Sequence, residues 1–264
     1  MKYFLSISAL LFVLIFISCG PSQEDLARVK LNKAKALLQN SDTTNALLQL
    51  DSIAQLYPKA MYVINAAKNL KNEVYLEELQ RLEADLDSTN IVIAKLEKNF
   101  VKEKTEFDRY TQYVHKRQNF KRRWDKSYIK VYLNELGEIY LSSNYYGKKW
   151  LDHTGLRVYD GPDQAKTEKI PLGNINNHHS DFMEAKWEKV TYRKGKDNGV
   201  IEFIANNTRR RLKAVFLGKR YYYIILEDYD KKAVKDALDL SKAIKKKKQL
   251  EAEVKKIQNS LEVK

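Results

Sequence analysis

The sequence contains few residues that cross-link a chain or interrupt regular structure, with one cysteine, four prolines and nine glycines among 264 residues. Because Cys19 is the single cysteine, an intramolecular disulfide is excluded. No proline or glycine occurs from Lys59 to Leu136, so this stretch can hold a long helix. The chain also lacks a Gly-rich phosphate loop and a Gly-x-Ser-x-Gly motif, which removes the common sequence signatures of nucleotide binding and serine hydrolysis.

The N-terminus combines Lys2 with a 15-residue apolar run from Tyr3 to Ile17. That length is typical of a signal-peptide core and is short for a membrane-spanning helix. The run ends in Phe16-Ile17-Ser18-Cys19-Gly20, which resembles the lipobox of bacterial lipoproteins, with Phe16 in place of the usual Leu. The resemblance implies a signal peptide over 1–18, cleavage after Ser18 and acylation of Cys19. A signal anchor, or plain secretion with an unmodified Cys19, is the alternative.

Residues 19–25 are then expected to form a lipidated tether. Gln23-Glu24-Asp25 resembles the surface-export signal of Bacteroidetes-type lipoproteins. Gly20 replaces the aspartate that keeps lipoproteins of the enterobacterial pattern in the inner membrane. These resemblances imply an outer-membrane lipoprotein that faces either the periplasm or the cell surface.

Residues 26–58 contain two amphipathic patterns separated by the turn and cap residues Asn40-Ser41-Asp42-Thr43-Thr44, which predicts a helical hairpin. One repeat of this kind cannot bury both of its faces alone, so the hairpin should pack on the next helix or on a partner. The spacing of small, large and proline positions resembles a single tetratricopeptide repeat at Ala34, Leu37, Ala46, Leu50, Ile53 and Pro58. A plain hairpin without a peptide-binding role is the alternative to such a repeat.

A heptad repeat follows the hairpin. It predicts one continuous helix over 59–118 that supercoils with a partner. Four consecutive residues with low helix propensity, Asp87 to Asn90, lie within this stretch, but the heptad phase is the same before and after them. The apolar positions recur seven residues apart, at Leu79, Leu86, Ile93, Phe100, Phe107 and Val114.

Alternating apolar and polar residues from Ser127 onward predict an antiparallel β module over 127–228, either a small barrel or a sandwich. A polar connection is expected from Gly161 to about Phe182. The strongest predicted hairpin turns are Asp197-Asn198-Gly199 and Gly218-Lys219, the second a two-residue loop in which Gly218 has positive φ. Strands are predicted near 129–133, 138–143, 150–159, 185–193, 199–205, 210–217 and 220–227.

Residues 230–264 predict a C-terminal helix with its own apolar seam. The predicted fold is therefore α+β, with a helical hairpin, a long coiled-coil stalk, an inserted antiparallel β module and a returning C-terminal helix. In the favoured arrangement the two long helices pair antiparallel within one chain. A coiled-coil homodimer is the competing arrangement.

Basic residues outnumber acidic ones by 48 to 34, for a formal net charge of +14. This excess favours an anionic partner, or keeps long helices and turns soluble. Cations beside aromatic rings suit phosphate groups or an acidic polymer. The export signal argues against nucleic acid, which leaves lipopolysaccharide phosphates, anionic lipid headgroups or an acidic glycan as candidate ligands. The candidate ligand-binding residues are Lys121, Arg122, Arg123, Trp124, Tyr145, Tyr146, Trp150, Arg209, Arg210 and Arg211.

His178-His179-Ser180-Asp181 is the cluster with the most metal-like composition. Adjacent histidines in a strand point to opposite faces, so we predict no metal, and no other cofactor is expected. The sequence favours a non-enzymatic, lipid-anchored envelope protein that acts as an adaptor or recognition module for a protein or an anionic polymer. An assembly factor that holds a partner on the helical hairpin, and an envelope hydrolase with its site in the β module, are the alternatives.

Overall fold

The computed structural model describes residues 21–106, 108–118, 125–182 and 184–262. These residues form an α+β structure with five helices and two antiparallel sheets. They divide into a helical unit, residues 21–83 with 253–262, and a β unit, residues 84–252. None of the helices in these ranges has both the length and the apolar character needed to cross a membrane. The predicted signal peptide and Cys19 lie outside the described residues.

The helical unit begins with the predicted hairpin. Helices α1 (Gln23–Gln39) and α2 (Thr43–Leu56) pack against each other. Ser22 and Asp25 form a capping box at the start of α1, in which the Ser22 hydroxyl accepts from the Asp25 N–H at 3.1 Å. Asp42 caps α2 through its carboxylate. The core of this unit extends into the next helix and consists of Ala27, Leu31, Ala34, Leu50, Ile53, Ala60, Val63 and Ala67.

Helix α3 (Met61–Glu97) runs without a break through Asp87 to Asn90, as the heptad phase predicts. The prediction that it continues to residue 118 is wrong, because strands β1 (Phe100–Glu103) and β2 (Gln112–His115) follow it and pair antiparallel. Phe100 is buried in this sheet rather than in a helical seam, and its ring meets the His115 ring edge-on at 5.1 Å. Aromatic and β-branched side chains pack well on a pleated surface, and this burial outweighs the heptad pattern.

Eight further strands complete the two sheets of the β unit. In the first sheet they are β3 (Tyr128–Asn134), β4 (Ile139–Gly147), β7 (Asn177–Phe182) and β8 (Ala185–Tyr192). In the second they are β5 (Gly155–Asp160), β6 (Asp163–Lys166), β9 (Lys213–Leu217) and β10 (Tyr221–Ile225).

The first sheet has six strands in the order β1-β2-β3-β4-β8-β7, and the second has four in the order β10-β9-β5-β6. The β module therefore begins at residue 100 rather than at 127. Both sheets contribute to one apolar core, in which Leu141 and Val190 of the six-stranded sheet join Leu156 and Phe216 of the four-stranded sheet. The described residues form no closed barrel, so of the two predicted alternatives the barrel is wrong.

The segment 199–205, predicted as a strand, is instead helix α4 (Val200–Asn206). Its buried residues Val200, Ile201, Ile204 and Ala205 follow helical spacing rather than alternation. The turn at Asn198 and Gly199 exists, with φ of 48° and 79°, but it leads into this helix and not into a hairpin.

The segment 161–182, predicted as a polar connection, contains β6 and β7. Each of these strands is the last in its sheet. An edge strand is paired on one side and needs little apolar alternation, which explains why a pattern search misses both.

The turn between β9 and β10 spans residues 218–220, because Leu217 pairs with Tyr221. Gly218 is absent from the described glycines with positive φ, so the predicted reason for a glycine there is wrong. A Cβ at Gly218 would lie 2.2 Å from the Leu151 carbonyl oxygen. The glycine is required by the close approach of two backbones.

Helix α5 (Asp228–Glu262) matches the predicted C-terminal helix. Ala233, Val234, Ala237 and Ile244 of its first half belong to the core of the β unit. Polar contacts fix its position there: the Ser241 hydroxyl donates to the Gly137 carbonyl at 2.6 Å. Ile93 and Leu96 of α3 pack against the same core.

Candidate functional site

The structure places Tyr145 in the core of the β unit, 7% exposed. Its ring contacts those of Phe216 and Tyr222, and its hydroxyl donates to the Lys149 carbonyl at 3.1 Å. The prediction that Tyr145 binds a ligand is therefore wrong, since β4 turns this side chain inward.

Tyr146 and Trp150 are half-buried and lie in separate aromatic contacts. The Tyr146 ring meets Trp187 of β8 edge-on at 4.8 Å. Trp150, in the loop after β4, stacks on His179 with ring centroids 4.9 Å apart. These two candidates stay partly accessible, but the structure does not bring them into one site.

The three predicted arginines differ in what they contact. Arg210 forms ion pairs with Asp160 at 2.8 Å and Asp163 at 2.7 Å, so it stabilises the β5–β6 turn rather than offering a free charge. Arg209 and Arg211 are exposed, and neither forms an ion pair with another described residue. The remaining candidates, Lys121, Arg122, Arg123 and Trp124, lie outside the described residues.

In the buried centre of the β unit, hydrogen bonds link a serine to a histidine and the histidine to a glutamate. The Ser143 hydroxyl lies 2.9 Å from His153 Nε2, and His153 Nδ1 lies 2.6 Å from Glu188 Oε2. This is the connectivity of a hydrolytic triad. All three side chains are buried, however, with exposures of 0%, 0% and 1%.

Glu188 holds the loop between β4 and β5 onto β8. Burial alone would raise the pKa of this carboxyl, but hydrogen bonds from the His153 side chain and from backbone N–H groups lower it to about 2. Its Oε1 accepts from the N–H groups of Leu151 at 2.6 Å and Asp152 at 2.8 Å. Its Oε2 accepts from the His153 N–H at 2.9 Å and from the ring. The ionised Glu188 makes Nδ1 of His153 the donor.

Ser143, at the other end of this series of hydrogen bonds, also has a second partner. The Tyr192 hydroxyl lies 3.0 Å from Ser143 Oγ, and burial raises the pKa of Tyr192, which keeps this hydroxyl protonated. A nucleophile must reach a substrate to act, and Ser143 is enclosed on both sides. We therefore assign Ser143, His153 and Glu188 a structural role as the sealed network.

Asp152, His179 and Glu188 place ligand atoms within 4.8 Å of one another. Each Glu188 oxygen already accepts two hydrogen bonds, which leaves it no free lone pair. Asp152 is 2.7 Å from the Lys219 ammonium. The trio is thus poorly suited to bind a cation. It does show that His179 lies close to two carboxylates, those of Asp152 and Glu188, that are distant from it in sequence.

A different site lies on the outer face of the four-stranded sheet. Strand alternation turns Leu156, Val158, Ala214 and Phe216 into the core, all at 0% exposure. The opposite face carries the alternate residues Arg157, Tyr159, Lys213, Tyr221 and Tyr223, in register across β5, β9 and β10.

A cavity of about 600 Å³ opens on this face. Its lining residues come from the four strands β5, β6, β9 and β10 and from the turn before α4, and none of them carries a carboxylate. We call this cavity the sheet groove; it is lined by Arg157, Gln164, Ala165, Lys166, Asn198, Leu217 and Tyr221.

Arg157 lies in the sheet groove with an unused donor. Its Nε is buried and has no hydrogen-bond acceptor among the described residues. Its guanidinium lies 5.0 Å from the Tyr159 ring centroid. A buried donor without a partner is costly. Arg157 also forms no ion pair with another described residue, so the part of its guanidinium that lines the cavity can donate to a ligand oxygen.

Further cations and aromatic rings flank Arg157. Lys213 lies 4.4 Å from the Tyr223 ring centroid, and neither Lys213 nor Lys166 forms an ion pair within the described ranges. Tyr221 is 79% exposed and Tyr223 57%. The result is a positively charged groove with aromatic surfaces.

Sequence reasoning missed the sheet groove because its residues are isolated along the chain. Arg157-x-Tyr159 and Tyr221-x-Tyr223 alternate as strand residues on one face do. That alternation could have grouped them once the pairing of β5, β9 and β10 was known.

Comparisons of the chain with protein-family models, with curated proteins and with solved structures found no match.

Proposed function

We propose that this protein is a non-enzymatic, lipid-anchored envelope protein whose sheet groove binds an acidic glycan or a similar anionic polymer. The guanidinium of Arg157, on the lining of an open cavity and without an ion-pair partner among the described residues, carries the proposal. Arginine pairs with carboxylate and phosphate oxygens in a bidentate manner, and exposed tyrosine rings offer surfaces on which sugar rings can lie.

The absence of carboxylates from the lining of the groove supports binding rather than hydrolysis. Glycoside hydrolysis uses two carboxyl groups on either side of the bond that breaks, and the groove lining has none. The sealed network offers a hydrolase no accessible nucleophile. These observations favour recognition over the envelope-hydrolase alternative.

The anchor and the stalk belong to the same proposal. The lipobox-like sequence at Cys19 supports attachment to the outer membrane, on its periplasmic or its outer face. The heptad positions Leu79 and Leu86 of α3 and the later seam positions of α5, from Leu250 to Leu261, support a coiled-coil stalk within one chain or in a homodimer.

Titration of the detergent-solubilised full-length protein with polymers of different charge tests the proposal. Polygalacturonate supplies carboxylates, polyphosphate supplies phosphates and dextran is neutral. Binding of either acidic polymer that weakens with added salt, without binding of dextran, supports the proposal. Equal binding of dextran, or binding of none of the three, contradicts it.

A cavity in the helical unit supports a second candidate function, that of an assembly factor. This cavity of about 570 Å³ includes Leu47 of α2, Val74 of α3 and Ile257 of α5 in its lining. Its lining also includes charged residues, among them Glu78, Glu253 and Lys256. A groove with both apolar and charged residues suits an amphipathic helical segment of a partner protein. In-cell photocrosslinking from position 47 would capture a specific partner under this function. A probe that forms no protein adduct there, while one in the sheet groove labels glycan, contradicts it.

A further inference from the structure

The two ends of the helical unit differ in the apolar residues they expose. We define the tether end as residues 23–29 together with residues 56–62. The side chain of Gln23 accepts from the Lys59 N–H at 3.3 Å, and the Arg28 guanidinium lies 5.7 Å from the Tyr62 ring centroid. These contacts bring the start of α1, the end of α2 and the start of α3 together.

Large apolar side chains are concentrated at the tether end. In the described part of the helical unit, two others, Leu48 and Leu76, are as exposed. Each of the tether-end residues lies within two helical turns of the contacts that define this end. They are Leu26 at 38% exposure, Val29 at 66%, Leu56 at 54%, Met61 at 61% and Tyr62 at 72%.

The chain itself limits how far this end can lie from Cys19. Ser22, the N-cap of α1, is three residues after Cys19. A fully extended chain covers at most about 3.6 Å per residue, so these residues are separated by no more than roughly 11 Å in any conformation. An acyl chain on Cys19 must then place Ser22 and the start of α1 within about this distance of the membrane interface.

We propose that the tether end contacts the lipid bilayer, with Met61, Leu56 and Val29 in the headgroup region and Tyr62 at its polar boundary. This inference rests on the lipid anchor of the proposed function. Tyrosine is favoured at such interfaces, and apolar side chains of a peripheral helix enter the headgroup–acyl boundary.

The charges at this end are compatible with a lipid surface. Glu24 lies 3.5 Å from Arg28, and Asp25 is engaged in the capping box with Ser22. Lys59 is exposed and forms no ion pair with another described residue, so its ammonium can reach lipid phosphates.

Quenching of a fluorophore by spin-labelled lipid tests this contact in the full-length protein. An environment-sensitive label is attached at Met61→Cys, and the matched control is Leu48→Cys, because the two side chains are almost equally exposed, at 61% and 60%. Both proteins are placed in phosphatidylethanolamine–phosphatidylglycerol vesicles. Mass spectrometry records the acylation of Cys19 in each sample.

With Cys19 acylated, we expect doxyl lipids to quench the label at position 61 at least twofold more than the label at 48. Equal, weak quenching at both positions in an acylated protein overturns the bilayer contact and leaves the anchor intact. An unmodified Cys19 overturns the anchor, and the contact with it. The mass spectrum therefore separates the two failures.

Discussion

The sealed network and the sheet groove are both polar clusters of the β unit, and they differ in whether their groups are satisfied. In the network, Glu188 accepts four hydrogen bonds and Ser143 contacts both His153 and Tyr192. In the groove, Arg157 Nε has no described acceptor. A serine, a histidine and a glutamate linked as in a catalytic triad can therefore have a structural role. A cation that lines an open cavity and has no ion-pair partner indicates a binding site instead.

The largest expected effect follows loss of the Glu188 charge. Glu188→Gln leaves four donors without their anionic acceptor, and breaking a buried ionic network costs about 3–5 kcal/mol of unfolding free energy. Urea unfolding followed by tryptophan fluorescence measures it, since Trp150 and Trp187 lie in the β unit. The matched control is Asp239→Asn, which removes an exposed pair with Lys235 and should cost under about 0.5 kcal/mol. Similar small losses in both variants would contradict the structural role.

The ionisation of the Glu188 carboxyl should also determine how the free energy of unfolding depends on pH. The folded pKa of Glu188 is about 2 against a usual value of 4.5. A lowered pKa stabilises the folded state above pH 4.5, and this contribution, about 3 kcal/mol, is lost as the pH falls from about 4.5 to about 2. Urea midpoints measured across that range should fall more steeply for the wild type than for Glu188→Gln. Parallel curves would show that Glu188 is not the group responsible.

A smaller effect is expected at Ser143. Ser143→Ala removes the link between His153 and Tyr192 and should cost about 1–2 kcal/mol. A fluorophosphonate probe should leave Ser143 of the folded wild type unlabelled, because the hydroxyl is enclosed. Labelling that disappears in Ser143→Ala would show an accessible nucleophile and would revive the hydrolase alternative.

Local patterns in the sequence predict the elements whose burial follows one period. The hairpin of α1 and α2, strands β3 and β4, and helix α5 all show this consistency between pattern and structure. The cap residues Ser41 and Asp42 mark the hairpin turn, where Ser41 has a φ of 61°.

The predictions that are wrong concern segments whose structure depends on contacts between residues far apart in the sequence. Phe100 fits the heptad, but its burial against β2 ends the helix. Edge strands β6 and β7 carry too few apolar residues for a pattern to detect. The sheet groove depends on the pairing of β5 with β9 and of β9 with β10, and no local pattern contains that information.

The central claim is that Arg157 binds an acidic ligand and has little part in stability. Arg157→Gln is compared with Arg211→Gln, which removes an exposed cation absent from the groove lining. Loss of a charged hydrogen bond of about 1.5–3 kcal/mol predicts roughly tenfold or greater weakening of acidic-polymer binding in Arg157→Gln. Arg211→Gln should bind within about twofold of wild type, and both variants should unfold within about 0.5 kcal/mol of it. Equal affinities of the two folded variants would contradict the account.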